Sequence, residues 1–151
     1  MSSQKVDKIQ WVQRTAEKMQ VNSSDKKHLW NDYWLEAYCE IGGTNSNTGS
    51  KPCPMAAVYG LWYLGRIIGS ERPQLNWSID KIRKNLGKNT AYAVLSLDLL
   101  EQKNYGSLKA LWQEVQCLYQ QKLSEKPADS EQGEIALTML LYKAGLITTS
   151  L

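Results

Sequence analysis

The 151-residue chain contains no phenylalanine, one histidine and only three cysteines. With His28 as the single histidine, a catalytic pair of nucleophile and base has few possible members. The cysteines Cys39, Cys53 and Cys117 are odd in number and widely spaced, which argues against a disulfide framework and against the paired ligands of a zinc site. We therefore expect three reduced cysteines, no metal and no cofactor.

Long apolar segments are also absent. No stretch approaches the roughly 20 uninterrupted apolar residues that a membrane-spanning helix needs. The segment Met1–Lys8 lacks the apolar core of a signal peptide, so we expect a cytoplasmic protein that does not bind membranes.

The glycines do not form a nucleotide-binding motif. Gly60, Gly65 and Gly69 are spaced too widely for a phosphate-binding loop. The sequence thus predicts a protein that is not an enzyme.

The sequence carries a strong helical pattern. Its 42% hydrophobic and 22% charged residues are typical of a folded globular protein, and apolar residues recur every three or four positions almost throughout. The predicted fold is all-α, a single compact bundle of about seven helices within residues 1–151. These helices span about 4–20, 26–40, 54–64, 79–86, 89–103, 108–123 and 131–143. The polar run 44–50 is predicted to be a flexible loop, and Ile67-Ile68-Gly69 a short extended segment.

Two groups of residues recur at nearly the same offset. Leu29-Trp30 recurs as Leu111-Trp112, 82 positions later, and the Gly65-Arg66-Ile67 ending recurs as Gly145-Leu146-Ile147, 80 positions later. The pattern predicts two divergent, helix-turn-helix-like repeats of three helices, at about 4–68 and 89–147. A basic connector at 69–88, with a short helix of its own, joins them. Trp30 and Trp112, which match between the repeats, are predicted core residues.

Charge is concentrated in the middle of the chain. Residues 51–110 have nine basic and four acidic side chains, whereas 1–50 are neutral and 111–151 carry a net charge of −2. Clustered cations beside an indole can neutralise phosphates and stack on a base. The candidate nucleic-acid-binding residues are Arg66, Arg72, Lys81, Arg83, Lys84, Lys88 and Trp77. The string Leu61-x-x-x-Gly65-x-Ile67, followed by Ile68-Gly69-Ser70, also resembles the end of a winged helix-turn-helix recognition helix.

Tryptophan and tyrosine, six and eight in number, favour a different function. Both residue types give protein interfaces large contact areas at low entropic cost. Trp11, Trp77 and Tyr105 fall off the apolar stripes or in loops and are therefore predicted to be exposed. Our first hypothesis is a non-enzymatic protein that binds a protein partner through these aromatics and the basic segment. Nucleic-acid binding through residues 66–88 is the alternative.

Several motifs resemble a known family. The segment Ser50–Leu61, which contains Lys51-Pro52-Cys53-Pro54, and the following Gly65 and Ile68-Gly69 resemble a small bacterial family of unknown function. In that family a Gly-Cys-Pro segment opens a helix that ends before Gly-Ile. Lys88–Ala93, Leu111–Val115 and Ala144–Ile147 match in the same order, although Trp62-Tyr63 replaces polar residues. The resemblance implies a cytoplasmic bacterial helical protein without an established activity, and it brings no catalytic residues.

Overall fold

The computed structural model describes residues 6–148, apart from the side chain of Ser46. These residues form an all-α bundle of seven helices and one additional helical turn, which confirms the predicted fold class. The start of the first predicted repeat, at residues 4 and 5, lies outside the described residues. The helices are α1 Lys8–Val21, α2 Lys27–Glu40, α3 Ser46–Gly49, α4 Pro52–Tyr63, α5 Ile79–Leu86, α6 Lys88–Gln102, α7 Leu108–Leu123 and α8 Glu134–Lys143.

Helix α6 occupies the centre of the bundle, because its sequence is apolar on nearly every side. It packs against α4, α5, α7 and α8, while α1 and α2 pair with each other and cover α4 and α8. The contact between α4 and α6 depends on Gly60. A Cβ atom at Gly60 would lie 2.0 Å from Thr90 Oγ1. The missing side chain therefore lets the two helices approach closely.

Aromatic side chains fill much of the core. Trp30 and Trp112 are both buried, as predicted. The Trp30 ring lies 5.5 Å from that of Trp62, and the Trp112 ring meets Tyr92 edge-on at 5.1 Å. Such pairs of rings contribute about 0.5–1.5 kcal/mol beyond the area they bury. Tryptophan and tyrosine thus serve as the large core residues of a chain without phenylalanine.

The endings of the two predicted repeats pair with each other. Ile67 and Ile147 form an isolated antiparallel bridge. Gly65 and Gly145, which end α4 and α8, have φ angles of +76° and +78°. Of the predicted extended segment Ile67-Ile68-Gly69, Ile67 forms the bridge, whereas Ile68 and Gly69 lie in a turn in which Ser70 N donates to the Ile67 carbonyl at 3.3 Å. The bridge is the one β pairing within residues 6–148.

Helix starts differ from the predictions where a side chain caps the helix. Helix α1 begins at Lys8 rather than near Gln4, because Asp7 Oδ1 accepts hydrogen bonds from the N–H groups of Ile9 and Gln10. Helix α8 begins at Glu134 rather than 131. There, Glu131 Oε1 accepts bonds from the N–H groups of Gly133, Ile135 and Ala136, at 2.7, 2.9 and 3.0 Å.

The predicted loop at 44–50 contains a helical turn, α3, at Ser46–Gly49, which corrects the expectation of a loop throughout. Asn45 Oδ1 caps the single turn α3 by accepting hydrogen bonds from Asn47 N and Thr48 N, at 3.0 and 3.2 Å. Tyr38 anchors the turn, because its hydroxyl accepts a bond from Asn45 N and its ring packs against Gly49. One buried tyrosine of α2 thus orders a segment that has no apolar residue of its own.

Candidate basic and aromatic surface

Helix α5 presents cations because its apolar residues all face the bundle. Ser78 caps the helix by accepting a hydrogen bond from Lys81 N at 3.3 Å. Ile82 is buried, and Ile79 and Leu86 are half-buried against the core. Lys81 and Lys84 are exposed. Since residues three apart lie on the same side of a helix, these two ammonium groups share one surface.

Beside α5, two neighbouring aromatic rings lie between two cations. The Arg72 guanidinium lies 4.5 Å from the centre of the Tyr63 ring. The Tyr63 ring is 5.7 Å from the Trp77 ring, and Lys81 Nζ is 4.5 Å from the Trp77 ring. Each cation–ring contact contributes about 0.5–1 kcal/mol at an exposed site. We call Tyr63, Arg72, Trp77, Lys81 and Lys84 the basic–aromatic surface.

Arg72 has a fixed position on this surface. Its Nε and Nη2 donate hydrogen bonds to the carbonyl oxygen of Tyr63, at 3.3 and 2.9 Å. The guanidinium also lies 5.0 Å from the centre of the Trp62 ring. The side chain is therefore held by the last turn of α4 rather than by a carboxylate.

Two of the predicted cations are held in ion pairs away from this surface. Arg66 Nη2 lies 3.3 Å from Glu101 Oε1, and Arg66 Nε donates to the carbonyl of Thr148 at 2.8 Å. Arg83 Nε lies 3.0 Å from Glu125 Oε2 and donates to the Tyr119 hydroxyl at 2.9 Å. Both residues fasten distant parts of the chain together, and neither presents a free charge.

Tyr119 connects the Arg83 ion pair to the core. Its ring is buried and its hydroxyl donates a short hydrogen bond to Glu125. Burial, together with that bond, raises the pKa of Tyr119 to about 12. Arg83 and Tyr119 both lower the pKa of Glu125, since each hydrogen-bonds to its charged form.

Lys84 and Lys88 complete the predicted set, but they face different surroundings. Lys84 is exposed on α5, whereas Lys88 begins α6. The positive charge of Lys88 acts on Glu125 and on the Cys53 thiol. The six predicted cations therefore do not all converge on one surface. Arg72 and Lys81 lie over the Tyr63 and Trp77 rings, and Lys84 shares the exposed side of α5 with Lys81.

The prediction that Trp11 is exposed is wrong. Trp11 is 4% exposed, and its indole N–H donates to the carbonyl of Trp34 at 2.7 Å. The helical stripe through Val12, Ala16 and Met19 is wide enough to include the neighbouring position. A core-facing helix buries an arc of about 100° or more, and Trp11 lies within it.

Tyr105 is also buried, at 5% exposed, which corrects the prediction of an exposed loop residue. Its hydroxyl donates a short hydrogen bond to Glu114, and Lys103 Nζ lies 5.0 Å from its ring. Burial and the bond to Glu114 raise the pKa of Tyr105 to about 12. Trp77 is half-buried, which makes it the one predicted interface aromatic that still reaches the surface.

Tyr63 is a member of this surface that the sequence reasoning missed. The signal was present in Trp62-Tyr63, where two aromatic residues end a helix directly before the basic connector. Helix α4 itself is buried along residues 57–62, so this stretch has no exposed surface that a large ligand could contact. The string that resembles the end of a winged helix-turn-helix recognition helix has a different role in the structure. After Gly65 the chain enters the antiparallel bridge between Ile67 and Ile147.

Residues 6–148 contain no group of three or more His, Cys, Asp or Glu side chains arranged to hold a metal ion. The three cysteines are unpaired. None of the described helices combines the length and the apolar character needed to cross a bilayer.

Comparison with known families supports the resemblance seen in the sequence. A family of unknown function, DUF6979, matches residues 9–148, which is most of the chain. The chain belongs to DUF6979. The expectation of a helical family of unknown function is thus confirmed. No curated protein and no solved structure gives a significant match to this DUF6979 protein.

Proposed function

We propose that this DUF6979 protein is a non-enzymatic interaction protein whose basic–aromatic surface binds an acidic segment of a protein partner. The observation that carries the proposal is the pair of adjacent rings, Tyr63 and Trp77, with a cation at each end, Arg72 and Lys81. No carboxylate within residues 6–148 lies at ion-pair distance from Arg72, Lys81 or Lys84. Those charges are therefore available to an anionic partner.

The spacing of the charges favours an acidic peptide over a continuous polyanion. The basic–aromatic surface has three cations, and Glu71 and Asp80 carry negative charge on the same segment of the chain. A nucleic acid presents closely spaced phosphates and needs a denser positive surface. A peptide with separated carboxylates matches separated cations, and Tyr and Trp between them provide contact area. The three free cysteines fit a cytoplasmic location for this encounter.

Nucleic-acid binding is the second candidate, and Trp77 beside Lys81 is the observation in its favour. An indole next to a cation can stack on an unpaired base. However, Arg72 and Lys81 already lie over the Tyr63 and Trp77 rings. A nucleic-acid base could stack on these rings only by displacing the two cations or by using the opposite faces of the rings. The acidic peptide is therefore our first choice.

The test measures binding of two probes at low salt by isothermal titration calorimetry. One is a ten-residue peptide of alternating glutamate and leucine, and the other is a ten-nucleotide single-stranded DNA. The double variant Lys81→Glu/Lys84→Glu reverses two charges of the surface. We expect it to weaken peptide binding by about tenfold or more, equivalent to about 1.4 kcal/mol. Lys8→Glu/Lys109→Glu, which reverses two exposed charges elsewhere, is the matched control.

Peptide binding that is identical in the wild type and in Lys81→Glu/Lys84→Glu would disprove the proposal. Stronger binding of the DNA than of the peptide, lost in the same variant and falling steeply between about 50 and 200 mM salt, would establish the nucleic-acid alternative. The variant Arg83→Glu tests whether Arg83 itself takes part in binding. Its charge is already held by Glu125, so we expect any loss of binding to follow loss of stability.

A further inference from the structure

A cleft of about 390 Å³ lies beside the basic–aromatic surface, between the α1–α2 connection and the segment that follows α4. Asp25 lies on the first wall, and Ser70, Glu71 and Arg72 lie on the second. Trp62 of α4 also borders the cleft. The volume falls at the lower end of the range of about 300–1,000 Å³ that small-molecule sites occupy.

Arg72 gives the cleft a positive charge in a defined orientation. Its Nε and Nη2 both donate to the Tyr63 carbonyl, and its Nη1 makes no hydrogen bond within residues 6–148. The neighbouring rings of Trp62 and Tyr63 restrict the guanidinium further. A guanidinium held in this way loses little freedom when it binds a carboxylate, for which its planar donor set is suited.

Negative charge comes from both walls. Asp25 and Glu71 make no ion pair with any described residue. The position of Asp25 is fixed through its backbone, because the Tyr59 hydroxyl donates to its carbonyl oxygen at 2.6 Å. Glu71 has a φ of +59°, an uncommon conformation for a residue with a side chain. The cleft thus contains an unpaired cation and two unpaired carboxylates.

We propose that the cleft binds a free amino acid through its two charged groups. The ligand carboxylate accepts hydrogen bonds from the Arg72 guanidinium, and the ligand ammonium donates to Asp25 and Glu71. Ser70, whose hydroxyl accepts a bond from Arg72 N at 3.5 Å, holds the base of the second wall. A ligand with only one charge leaves either the cation or the carboxylates unpaired, and this requirement gives the site its selectivity.

The test uses L-alanine and two analogues that each keep one charge. Propionate is alanine without the amino group, and ethylamine is alanine without the carboxyl group. We expect L-alanine to shift the backbone amide resonances of the cleft residues in two-dimensional NMR spectra. Each analogue should bind at least about tenfold more weakly, because it pairs only half of the site. No saturable shift with L-alanine up to about 50 mM would overturn the proposal, since this ligand carries both charges.

Asp25→Asn is the deciding variant. It removes a charge from an exposed side chain while the backbone carbonyl that receives Tyr59 stays in place. We expect about tenfold weaker alanine binding than in the wild type, whereas Asp32→Asn on the exposed face of α2 leaves it unchanged. Equal binding by wild type and Asp25→Asn would overturn the proposal, as would propionate binding as tightly as alanine, which would indicate an anion site only.

The amino-acid site does not rest on the proposed protein interaction, although Arg72 contributes to both. Lys81 and Lys84 do not line the cleft. Lys81→Glu/Lys84→Glu should therefore weaken peptide binding and keep alanine binding, while Asp25→Asn should weaken alanine binding and keep peptide binding. If the double variant leaves peptide binding unchanged, the proposed protein interaction is wrong; if Asp25→Asn leaves alanine binding unchanged, the amino-acid site is wrong.

Discussion

Ile67 and Ile147 lie opposite each other, 80 positions apart, between two equal hydrogen bonds. Ile68 N donates to the Leu146 carbonyl at 2.8 Å, and Thr148 N donates to the Arg66 carbonyl at 2.8 Å. The donors and acceptors are also related by an offset of 80 positions. Equivalent positions of the two predicted repeats therefore meet at one point, as they would on a two-fold axis between duplicated units.

This bridge leads to a prediction about stability. Ile67 is 3% exposed, whereas the adjacent Ile68 is 55% exposed. Ile67→Ala should lower the free energy of unfolding by about 2–5 kcal/mol, because it leaves a cavity between α4 and the C-terminal segment. Ile68→Ala keeps the backbone bonds and should change stability by less than about 0.5 kcal/mol. Urea unfolding monitored by far-UV circular dichroism measures both.

The same experiment tests whether the two predicted repeats form one domain. Since α6 of the second repeat packs against α4 of the first, we expect one transition in which both halves unfold together. Two separable transitions, of which only one shifts in Ile67→Ala, would contradict a single domain.

A second prediction concerns the close approach of α4 and α6. Gly60→Ala places a methyl group against Thr90 in a packed interior and should cost about 1–3 kcal/mol of unfolding free energy. Gly106→Ala is the control, because a Cβ there meets no atom within 4 Å. It should be neutral or should stabilise by up to about 1 kcal/mol through the unfolded state. A neutral Gly60→Ala would mean that the helices separate at little cost.

A third prediction contrasts two tryptophans. Trp11→Ala should destabilise the protein by about 3–5 kcal/mol, because it empties a buried site beside Trp34 and Tyr38. Trp77→Ala should cost less, since its ring is half-buried, yet it should weaken acidic-peptide binding. Unfolding and peptide titration of both variants separate the two roles. Equal losses of stability would show that Trp77 is a core residue rather than part of a binding surface.

A fourth prediction concerns pH. Burial raises the pKa of the Glu134 carboxyl, and the charge of Glu131 raises it further. A carboxyl with a raised pKa binds its proton more tightly in the folded state. Its contribution to stability is therefore present below the ordinary carboxyl pKa and is lost as pH rises through the raised value.

Glu134→Gln tests this sign, because glutamine resembles the protonated carboxyl. At neutral pH the variant should be more stable than the wild type, and the difference should shrink as pH falls through the raised pKa of Glu134 toward the ordinary carboxyl value. Urea midpoints from pH 4 to 8 measure it, with Asp32→Asn as an exposed control. A difference that grows toward low pH would contradict the assignment.

Helix positions were largely predictable, because they depend on periodicity and capping. The predicted helix ends near Gly65, Gly87 and Gly145 agree with the structure, because each of these glycines adopts a positive φ. Helix α3 was missed because a distant side chain, Tyr38, stabilises it. No local pattern around 44–50 indicates a contact with a tyrosine in the last turn of α2.

The candidate surface was only partly predictable, because exposure and pairing are tertiary properties. Trp77, Arg72, Lys81 and Lys84 were found from the charge pattern. The pairing of Arg66 with Glu101 and of Arg83 with Glu125 spans 35 and 42 positions, which no local pattern reveals. Trp11 was misplaced because the buried arc of α1 is wider than a single stripe.

The uneven burial of the six indoles gives the protein an optical property. Trp11, Trp30, Trp34, Trp62 and Trp112 are buried, and Trp77 alone is half-exposed. Without phenylalanine, near-ultraviolet absorption and emission come from tryptophan and tyrosine alone. Most of the fluorescence should therefore resist iodide, while the quenchable fraction comes from Trp77. A partner that covers the basic–aromatic surface would reduce the quenching of Trp77 by iodide, so its binding could be measured without an attached dye.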